Sequence, residues 1–349
     1  MGLSNYLQEL WYQPHPTSAL LLPLSWVYTG VVLLRRQIYL TRLINPESLP
    51  APVIVVGNIA VGGTGKTPLV IWLHRFLSAQ GYRPGIVSRG HGGRARQWPQ
   101  QVRPDSDPAT VGDEAVLLAR HTRAPIAVGP DRHAAAEALI RHQGCDLILS
   151  DDGLQHYALR RDLEIAVIDG VRRHGNGYCL PAGPLREPIS RLRDVDIIVT
   201  HGIAGRGEFP MKYVPGVPQP VAPSSRSRQG ATPGPQQVHA VAGTGNPDDF
   251  FHLLRVLGYQ PHCHRFPDHH VFRREEINFN DDLPVIMTEK DAVKCERFAG
   301  MEHWYLPIEA ELPAVFERRL LELLRRKGYG RQAAGDPGLP RDQGALDLR

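Results

Sequence analysis

Residues 52–68 read PVIVVGNIAVGGTGKTP, and they combine three patterns that together decide the fold. A short β-branched run is followed by a glycine-rich loop and then by an apolar-periodic segment over residues 67–80, which stops before Gly81. This order predicts a strand, a loop and a helix. The loop ends in Gly-Lys-Thr at residues 65–67, which is the form of a phosphate-binding loop.

The chemistry of this loop favours a nucleoside triphosphate. Glycines let backbone N–H groups converge on phosphate oxygens, Lys66 reaches the outer phosphates, and Thr67 is placed to ligate Mg²⁺. Ala60 stands where the usual pattern has its first glycine, so Gly62 and Gly63 must supply the flexibility. The loop lies between a predicted strand and a predicted helix, and this context distinguishes it from a Gly-Lys-Thr sequence that occurs by chance. The predicted nucleotide-binding residues are Ala60, Val61, Gly62, Gly63, Thr64, Gly65, Lys66 and Thr67.

A second segment supplies the metal partner of such a site. Residues 147–153, LILSDDG, form an apolar run that ends in Asp151 and Asp152, like the strand whose aspartate holds Mg²⁺ or its waters in phosphate-loop enzymes. The alternative is plain turn chemistry, since Asp-Gly is a common turn pair. The order of the two halves favours the metal interpretation, so we expect Thr67, Asp151 and Asp152 to hold Mg²⁺ beside ATP. The sequence leaves open which aspartate contacts the metal.

Compact apolar runs recur along the chain, and helical patterns separate several of them. The runs are residues 85–88, 126–128, 147–150, 165–168 and 197–200, and the helical patterns are residues 113–120 and 131–142. Apolar strands that alternate with helices indicate a parallel sheet covered on both faces. The predicted fold class is α/β, a P-loop NTPase-like parallel sheet flanked by helices, with a smaller second α/β domain and an N-terminal membrane-associated helix.

Composition divides the chain into five predicted segments. Residues 1–45 are the N-terminal helical segment, and residues 46–214 are the phosphate-loop core domain. Residues 215–237, rich in Pro, Ser, Gly and Gln, are a linker or an irregular stretch. Residues 238–327 repeat the strand and helix patterns and are the smaller α/β domain. Residues 328–349 are a disordered tail.

Length and charge exclude several classes of protein. The 349 residues are enough for about two domains. A net charge of +4 without long Lys/Arg blocks argues against a nucleic-acid partner, while acidic small molecules and anionic lipid remain open. The four cysteines are scattered without a C-x-x-C pair, so neither a disulfide framework nor a cysteine zinc site is expected, and a cytoplasmic compartment fits best.

Residues 16–34 contain no formal charge over 19 residues. As a helix they span roughly 28 Å, close to the hydrocarbon thickness of about 30 Å. Pro23 weakens a spanning segment. Trp26 and the trailing Arg35 and Arg36 suit a helix that rests at an interface with anionic head groups. The alternative is a helix buried against the main domain. We expect membrane attachment with the bulk of the protein on the cytoplasmic side, and whether the helix spans or lies on the bilayer stays open.

Eight motifs in a fixed order resemble a known family. They are VGNIAVGGTGKTP (56–68), SRGHGG (88–93), VGDEAVLLA (111–119), GPDR (129–132), DDGLQHYALRRD (151–162), PAGPLREP (181–188), FPDHH (266–270) and MTEKDAVK (287–294). Together they resemble the tetraacyldisaccharide 4'-kinase family, the lipid A 4'-kinases of Gram-negative bacteria. The resemblance covers about residues 20–325 and leaves only the tail unexplained.

The resemblance implies an activity, a partner and a location. The implied reaction transfers the γ-phosphate of ATP to the 4'-hydroxyl of an acylated glucosamine disaccharide 1-phosphate, in lipid A biosynthesis. The family works at the cytoplasmic face of the bacterial inner membrane through an N-terminal helix, which agrees with residues 16–34. We expect a monomer. Acyl-chain preference does not follow from the sequence.

Two residues far apart in the chain are the predicted acid-base pair. Asp113 begins a predicted helix, and in line with the family it is the expected general base. The alternative is that Asp113 caps that helix. In the family a histidine from the FPDHH motif pairs with this aspartate, and we match it to His269, with His270 in reserve. Lys66 completes the predicted catalytic set.

Arginines must balance the phosphates of two substrates. Arg132 of GPDR and Arg186 of PLREP are the predicted phosphate-binding residues, because each stands among Gly and Pro where planar bidentate contact is feasible. Arg89 is a weaker third candidate, since any single arginine is more often a solvated surface charge. Glu187 stays without an assigned role.

Two other patterns have ordinary explanations. Thr288 and Asp291 in residues 288–291 fit a capping box, which is enough to account for the TEKD sequence. His262 and His264 suggest zinc, but their spacing fits no standard structural site.

The competing function is a membrane-bound nucleotide switch that hydrolyses ATP or GTP without a lipid acceptor. This function explains the phosphate loop, the aspartates and the N-terminal helix. It does not explain the second region and its histidine-bearing loop.

Overall fold

The computed structural model describes residues 10–13, 17–41, 43–44, 46–222, 233–234 and 236–330. Two sheets organise these residues, one of nine strands and one of five. The tail expected at residues 328–349 lies outside the described residues from position 331 onward.

The larger sheet carries the phosphate loop. Its strands are β1 Val53–Gly57, β2 Pro84–Ser88, β3 Gln100–Val102, β4 Ile126–Val128, β5 Leu147–Ser150, β6 Leu163–Asp169, β7 Ile197–His201, β8 Phe209–Pro215 and β14 Ile308–Glu311. Their order in the sheet is β14-β8-β7-β6-β1-β5-β2-β4-β3. The pairings are parallel except at the two edges, where β3 and β14 run antiparallel to their neighbours. The predicted parallel α/β sheet is confirmed.

Helices cover both faces of this sheet. They are α2 Lys66–Ala79, α3 Pro108–Val111, α4 Asp113–Thr122, α5 Arg132–Gln143 and α9 Ala314–Arg326. Because side chains alternate along a strand, Ile54 and Val56 of β1 pack in the core formed with α2, α4 and α9. Val53 and Val55 face the opposite core, which α5 covers. Burial on both faces explains why β1 is apolar at every position before its glycine.

The smaller sheet contains β9 Gln219–Pro220, β10 Gln237–Ala242, β11 Gln260–Arg265, β12 Val285–Thr288 and β13 His303–Leu306, in the order β11-β10-β12-β13-β9. Its helices are α6 Pro247–Val256, α7 Arg274–Ile277 and α8 Glu289–Cys295. The core on one face is built with Phe250 and Phe251 of α6, and the core on the other face with Ala292 and Cys295 of α8.

The boundaries between the two regions differ from the predicted segments. The expected linker, residues 215–237, contains β9, which pairs with β13 of the smaller sheet. The expected second domain, residues 238–327, ends in β14 and α9, which return to the larger sheet. The reason is that a four-residue edge strand has too short a pattern to reveal which sheet it joins.

The N-terminal helix, α1 Thr17–Leu40, lies along the larger region and is mostly exposed. Ser25 Oγ donates to the Cys179 carbonyl at 2.7 Å, Tyr28 Oη donates to the Arg186 carbonyl at 3.2 Å, and Arg36 Nη2 lies 2.8 Å from Asp194. Among the described residues it is the one helix whose length and composition suffice to cross a membrane. Leu20 is 80% exposed and Trp26 is 66% exposed, which contradicts the alternative of a buried core helix.

Candidate functional site

The phosphate loop is fixed from both sides while its glycines stay accessible. Asn58 Nδ2 donates to Thr64 Oγ1 at 3.0 Å inside the loop, and Val61 N donates to the Pro184 carbonyl at 2.8 Å. Gly65 precedes the first residue of α2 in a left-handed conformation with φ 84°, and a Cβ there would collide with the Tyr213 hydroxyl. The loop therefore presents a rigid set of amides at the positive end of α2.

Two cations converge on Asp152 beside this loop. Lys66 Nζ lies 3.6 Å from Asp152 Oδ1, and Arg186 Nη1 lies 3.0 Å from Asp152 Oδ2. Burial alone would raise the pKa of Asp152, but the charges of Lys66 and Arg186 outweigh it and hold that pKa well below its usual range. Asp152 thus positions both cations at the edge of the phosphate loop.

Arg132 is buried and hydrogen-bonded to the protein, whereas the sequence predicted a side chain available to bind phosphate. It is 3% exposed, and its Nη1 donates to the Asp152 carbonyl at 3.0 Å and to Ser150 Oγ at 3.3 Å. Burial lowers its pKa, against the opposing charges of Asp152 and Asp151. Arg132 lines the cavity beside the loop, yet these contacts also make it the residue that fixes the turn after β5.

Asp151 is a buried carboxyl group with one oxygen that has no protein partner among the described residues. It is 1% exposed, and its Oδ1 has no hydrogen-bond partner among the described residues. Burial, followed by the charges of Glu114 and Asp152, raises its pKa to about 7. An unpaired, buried carboxylate oxygen and the Thr67 hydroxyl are hard oxygen donors of the kind that Mg²⁺ prefers, so these residues fit that ion.

The structure brings Asp113 and His269 together across the two regions. His269 Nδ1 lies 3.2 Å from both Asp113 Oδ1 and Oδ2, although the residues are 156 positions apart. Gly112 is the residue before α4 and Asp113 is its first helical residue. Asp113 Oδ1 also accepts from the Glu114 amide at 2.9 Å, so the side chain contacts the start of the helix as the alternative expected, in addition to pairing with His269. His270 instead pairs with Glu276 at 3.1 Å, which leaves His269 as the partner of Asp113.

Each member of this pair shifts the pKa of the other. Burial alone would raise the pKa of Asp113, but the hydrogen bond with His269 and the charge of Lys290 lower it to about 2. The hydrogen bond with Asp113 raises the pKa of His269, opposed by burial and by Lys290. Asp113 is therefore a carboxylate at neutral pH, with its proton affinity set by its two neighbours.

Lys290 of α8 belongs to this site, although no role there was predicted for it from the sequence. Its Nζ lies 2.9 Å from Glu114 Oε1, 2.9 Å from Asp268 Oδ1 and 3.4 Å from His269 Nε2. The expected helix cap is present, since Thr288 Oγ1 accepts from Asp291 N at 3.2 Å. The same motif also supplies Lys290 to the site, which the capping interpretation did not predict. The available signal was the four-residue spacing of two lysines in MTEKDAVK, which puts both on one face of a helix.

Glu114 is a second residue without a predicted role at this site. It is the next residue after Asp113, and its carboxylate accepts from Lys290. By contrast, Glu187 is 1% exposed and accepts from Gln155 Nε2 at 2.8 Å and from the Tyr157 hydroxyl, so its carboxylate is already satisfied. His264 Nε2 lies 3.0 Å from His239 Nδ1 in the smaller sheet, away from these residues in the fold.

One cavity of about 1550 Å³ connects these groups. The phosphate loop, Asp152, Arg186, His269 and Lys290 line it, as do side chains of α1 and of α6. Asp113 does not line it and lies behind Glu114 and His269, which do. The residues that line the cavity from α1 are Tyr28, Val32 and Arg35, and those from α6 are Asp249, Phe250, His252, Leu253 and Val256. The volume exceeds that of most single-ligand sites and has room for two substrates.

Comparisons with known proteins identify a family. A family model described as tetraacyldisaccharide-1-P 4'-kinase (LpxK) matches residues 17–325. The tetraacyldisaccharide 4'-kinase of Nitrosococcus oceani is 52% identical over 331 residues, which are 93% of this chain and 95% of that protein. The tetraacyldisaccharide 4'-kinase of Alkalilimnicola ehrlichii is 55% identical over 305 residues, 87% of this chain and 92% of that protein.

A solved structure has the same fold. The "apo" form of LpxK from Aquifex aeolicus, crystallised in complex with ATP, is similar with a TM-score of 0.70 at 24% sequence identity. The likeness covers 88% of this chain and 98% of that chain.

Proposed function

The chain belongs to the tetraacyldisaccharide-1-P 4'-kinase family, and we propose that it transfers the γ-phosphate of ATP to the 4'-hydroxyl of a tetraacyldisaccharide 1-phosphate. The bond between Pγ and the 4'-oxygen forms, the bond between Pγ and the β-γ bridging oxygen breaks, and ADP leaves. The observation that carries this proposal is that a phosphate loop and an Asp-His pair flank one cavity, with a largely exposed apolar helix along part of its wall.

The nucleotide side uses the loop from Ala60 to Thr67. Its amides and Lys66 hold the phosphates, as Gly-Lys-Thr loops do, and the Aquifex aeolicus LpxK structure contains ATP. Thr67 and Asp151 would hold Mg²⁺, with Asp152 beside them, and the ion would supply positive charge to the transferring phosphoryl group. The unpartnered Asp151 Oδ1 supports this assignment. Asp152 then serves mainly to orient Lys66 and Arg186.

The acceptor side uses Asp113 and His269. A hydroxyl that enters between Glu114 and His269 approaches the Asp113 carboxylate, which takes the proton as the bond to phosphorus forms. A pKa of about 2 makes Asp113 a weak base. This suits a loose transition state, in which the hydroxyl loses its proton late. His269 orients the carboxylate through Nδ1.

Arginines serve the phosphates in two ways. Arg186 is partly accessible and lines the cavity, so its remaining N–H groups can bind a phosphate oxygen. Arg132 is buried against the turn after β5, so it acts chiefly by fixing Asp152 and by adding positive charge.

The N-terminal helix attaches the protein to the membrane surface. Contacts with the globular body run from Ser25 to Tyr39, a length of about 20 Å at 1.5 Å per residue. A helix docked over that length cannot cross the bilayer without drawing the body in, so α1 lies along the interface with its apolar side in the lipid. The exposed Arg35 then faces anionic head groups on the cytoplasmic side of the inner membrane, while Arg36 pairs with Asp194 and holds α1 to the body.

A single assay separates this kinase from a nucleotide switch. Purified protein is incubated with Mg-ATP and the acylated disaccharide 1-phosphate in mixed micelles. The control reaction contains a chelator that removes the metal. We expect a metal-dependent bisphosphorylated lipid, formed in step with ADP. ADP formed without phosphorylated lipid would support the switch instead. Both sides of the cavity come from one chain, so activity should be proportional to enzyme concentration, as for a monomer.

The membrane proposal has its own test. Replacing Trp26 and Val27 by Ser removes exposed apolar area from α1 without touching its contacts with the body. We expect flotation with anionic vesicles to fall clearly, because transfer of apolar surface contributes about 25 cal/mol per Å². Ile203→Ser is the matched control, since Ile203 is 78% exposed elsewhere on the larger region. Equal flotation of both variants would refute the role of α1.

A further inference from the structure

The Lys290 ammonium forms three interactions that use all of its hydrogens. An ammonium group has three donors and no lone pair, so each partner must accept. Two partners are the carboxylate oxygens of Glu114 and Asp268, each at 2.9 Å, and the third is His269 Nε2 at 3.4 Å. Nε2 therefore carries the lone pair and Nδ1 carries the hydrogen, which points to Asp113.

We propose that Lys290 is a positioning residue that fixes the Nδ1–H tautomer of His269 and so makes Asp113, and not the imidazole, the proton acceptor. This inference rests on the proposed kinase function. While Nε2 accepts from Lys290, the ring has no free lone pair for a substrate hydroxyl. Asp113 keeps free lone pairs, because His269 and the Glu114 amide use only part of its capacity.

The charges around His269 explain why a lysine is needed there. Asp113 faces it from α4, Lys290 from α8 and Asp268 from its own loop, and the His91 ring lies 4.7 Å away. Behind these groups, Glu114 pairs with Lys290, and Lys294 Nζ lies 3.9 Å from Asp113 Oδ2. The carboxylates favour an imidazolium, and Lys290 opposes it. An imidazolium would reduce the proton affinity of Asp113 further and weaken the base. Glu114 and Asp268 in turn raise the pKa of Lys290 against its burial, so it stays cationic.

The pH dependence of kcat/KM for the lipid acceptor tests this role. In Lys290→Met, His269 should protonate more readily, so the acidic limb should move to higher pH. We expect kcat/KM to fall about tenfold or more near neutrality, and the deficit to narrow at alkaline pH. Lys290→Arg keeps the charge and the donors, and its limb should stay near that of the wild type. A deficit that is constant across the pH range in Lys290→Met would mean a structural role only and would overturn the proposal.

A spectroscopic readout separates the tautomer from activity. Nitrogen NMR of ring-labelled histidine reports which ring nitrogen is protonated, and His269→Gln identifies the signals. We expect protonated Nδ1 and bare Nε2 in the wild type, and a loss of that preference in Lys290→Met. Protonated Nε2 in the wild type would refute the inference even if the kinase activity is present. Absence of lipid phosphorylation would refute the proposed function while leaving the tautomer measurement valid.

Folding is checked by thermal unfolding of each variant. Lys290→Met removes the ion-pair partner of Glu114 and Asp268, and if it unfolds, the combined variant Lys290→Met and Glu114→Gln removes one of these two carboxylates while it keeps the Asp268 charge that acts on His269. The same upward shift of the acidic limb is expected there, and a limb at the wild-type position would again contradict the proposal.

Discussion

The two sheets contribute to the cavity in different ways. The larger sheet supplies the nucleotide side from one contiguous motif, in which β1, the loop and α2 follow each other directly. The smaller sheet supplies the loop of His269 and the helix of Lys290, which act only where they meet α4. A loop of amides works wherever its strand and helix fold, whereas an ion network between regions exists only when they are docked.

The docking of α8 on α4 has apolar and ionic parts. Val293 packs in the core of the larger region. Arg120 Nη2 lies 2.6 Å from Glu296 Oε2, and His121 Nε2 lies 2.7 Å from Glu289 Oε1. These contacts hold the residues of the smaller region within reach of Asp113. Substitutions can therefore disrupt the nucleotide side and the docked ion network separately.

The largest effect is expected from Asp113→Asn, which keeps the shape but removes the proton acceptor. We expect kcat to fall by about 10² to 10⁴ with little change in the KM for ATP, because the nucleotide side is untouched. Steady-state lipid phosphorylation measures both quantities. Asp105→Asn, at an exposed position on the same region, serves as the control. Near-wild-type turnover of Asp113→Asn would show that Asp113 is not the base.

The next effect is expected from Gly65→Ala on the nucleotide side. The new Cβ meets the Tyr213 hydroxyl and forces a left-handed φ on alanine. We expect a rise in the KM for ATP, about tenfold for each 1.4 kcal/mol of distortion. Gly207→Ala is the control, because Gly207 has a similar φ of 81° with open space around it. This variant therefore measures the cost of backbone strain alone, about 1 kcal/mol in the free energy of unfolding. If both variants bind ATP like the wild type, the loop is less rigid than described.

The smallest effect is expected at the docking surface. A double-mutant cycle with Arg120→Met and Glu296→Gln should give a coupling of up to about 1 kcal/mol in urea unfolding. The exposed pair Arg319 and Glu322 within α9 is the matched control and should couple by about 0.3 to 0.5 kcal/mol. A coupling no greater than the control would assign the docking to apolar contacts such as those of Val293.

The nucleotide side could be predicted closely because its signals are local. The apolar runs at residues 126–128 and 147–150 match β4 and β5 as the structure has them, and α2 begins one residue before the expected position. Strand and helix periodicity act over a few residues and need no knowledge of distant contacts.

Contacts between regions could not be predicted in the same way. Arg132 was expected at a phosphate on the basis of its Gly-Pro surroundings, but the sequence does not reveal that its guanidinium is buried against the Asp152 carbonyl. Lys290 was hidden by a capping motif that is real. The return of β14 to the larger sheet depends on pairing with β8, and the pairing partner of an edge strand is a tertiary choice.

That return has a consequence for dissecting the molecule. Gly216 N donates to the Pro307 carbonyl at 2.9 Å, so the chain leaves and re-enters at adjacent points. All five strands of the smaller sheet lie between these points, and all nine strands of the larger sheet lie outside them. Excising residues 217–306 and closing the gap with a short turn should convert β8 and β14 into an ordinary hairpin. The smaller region is thus inserted between two paired strands of the larger one, so a single continuous deletion would remove all five of its strands.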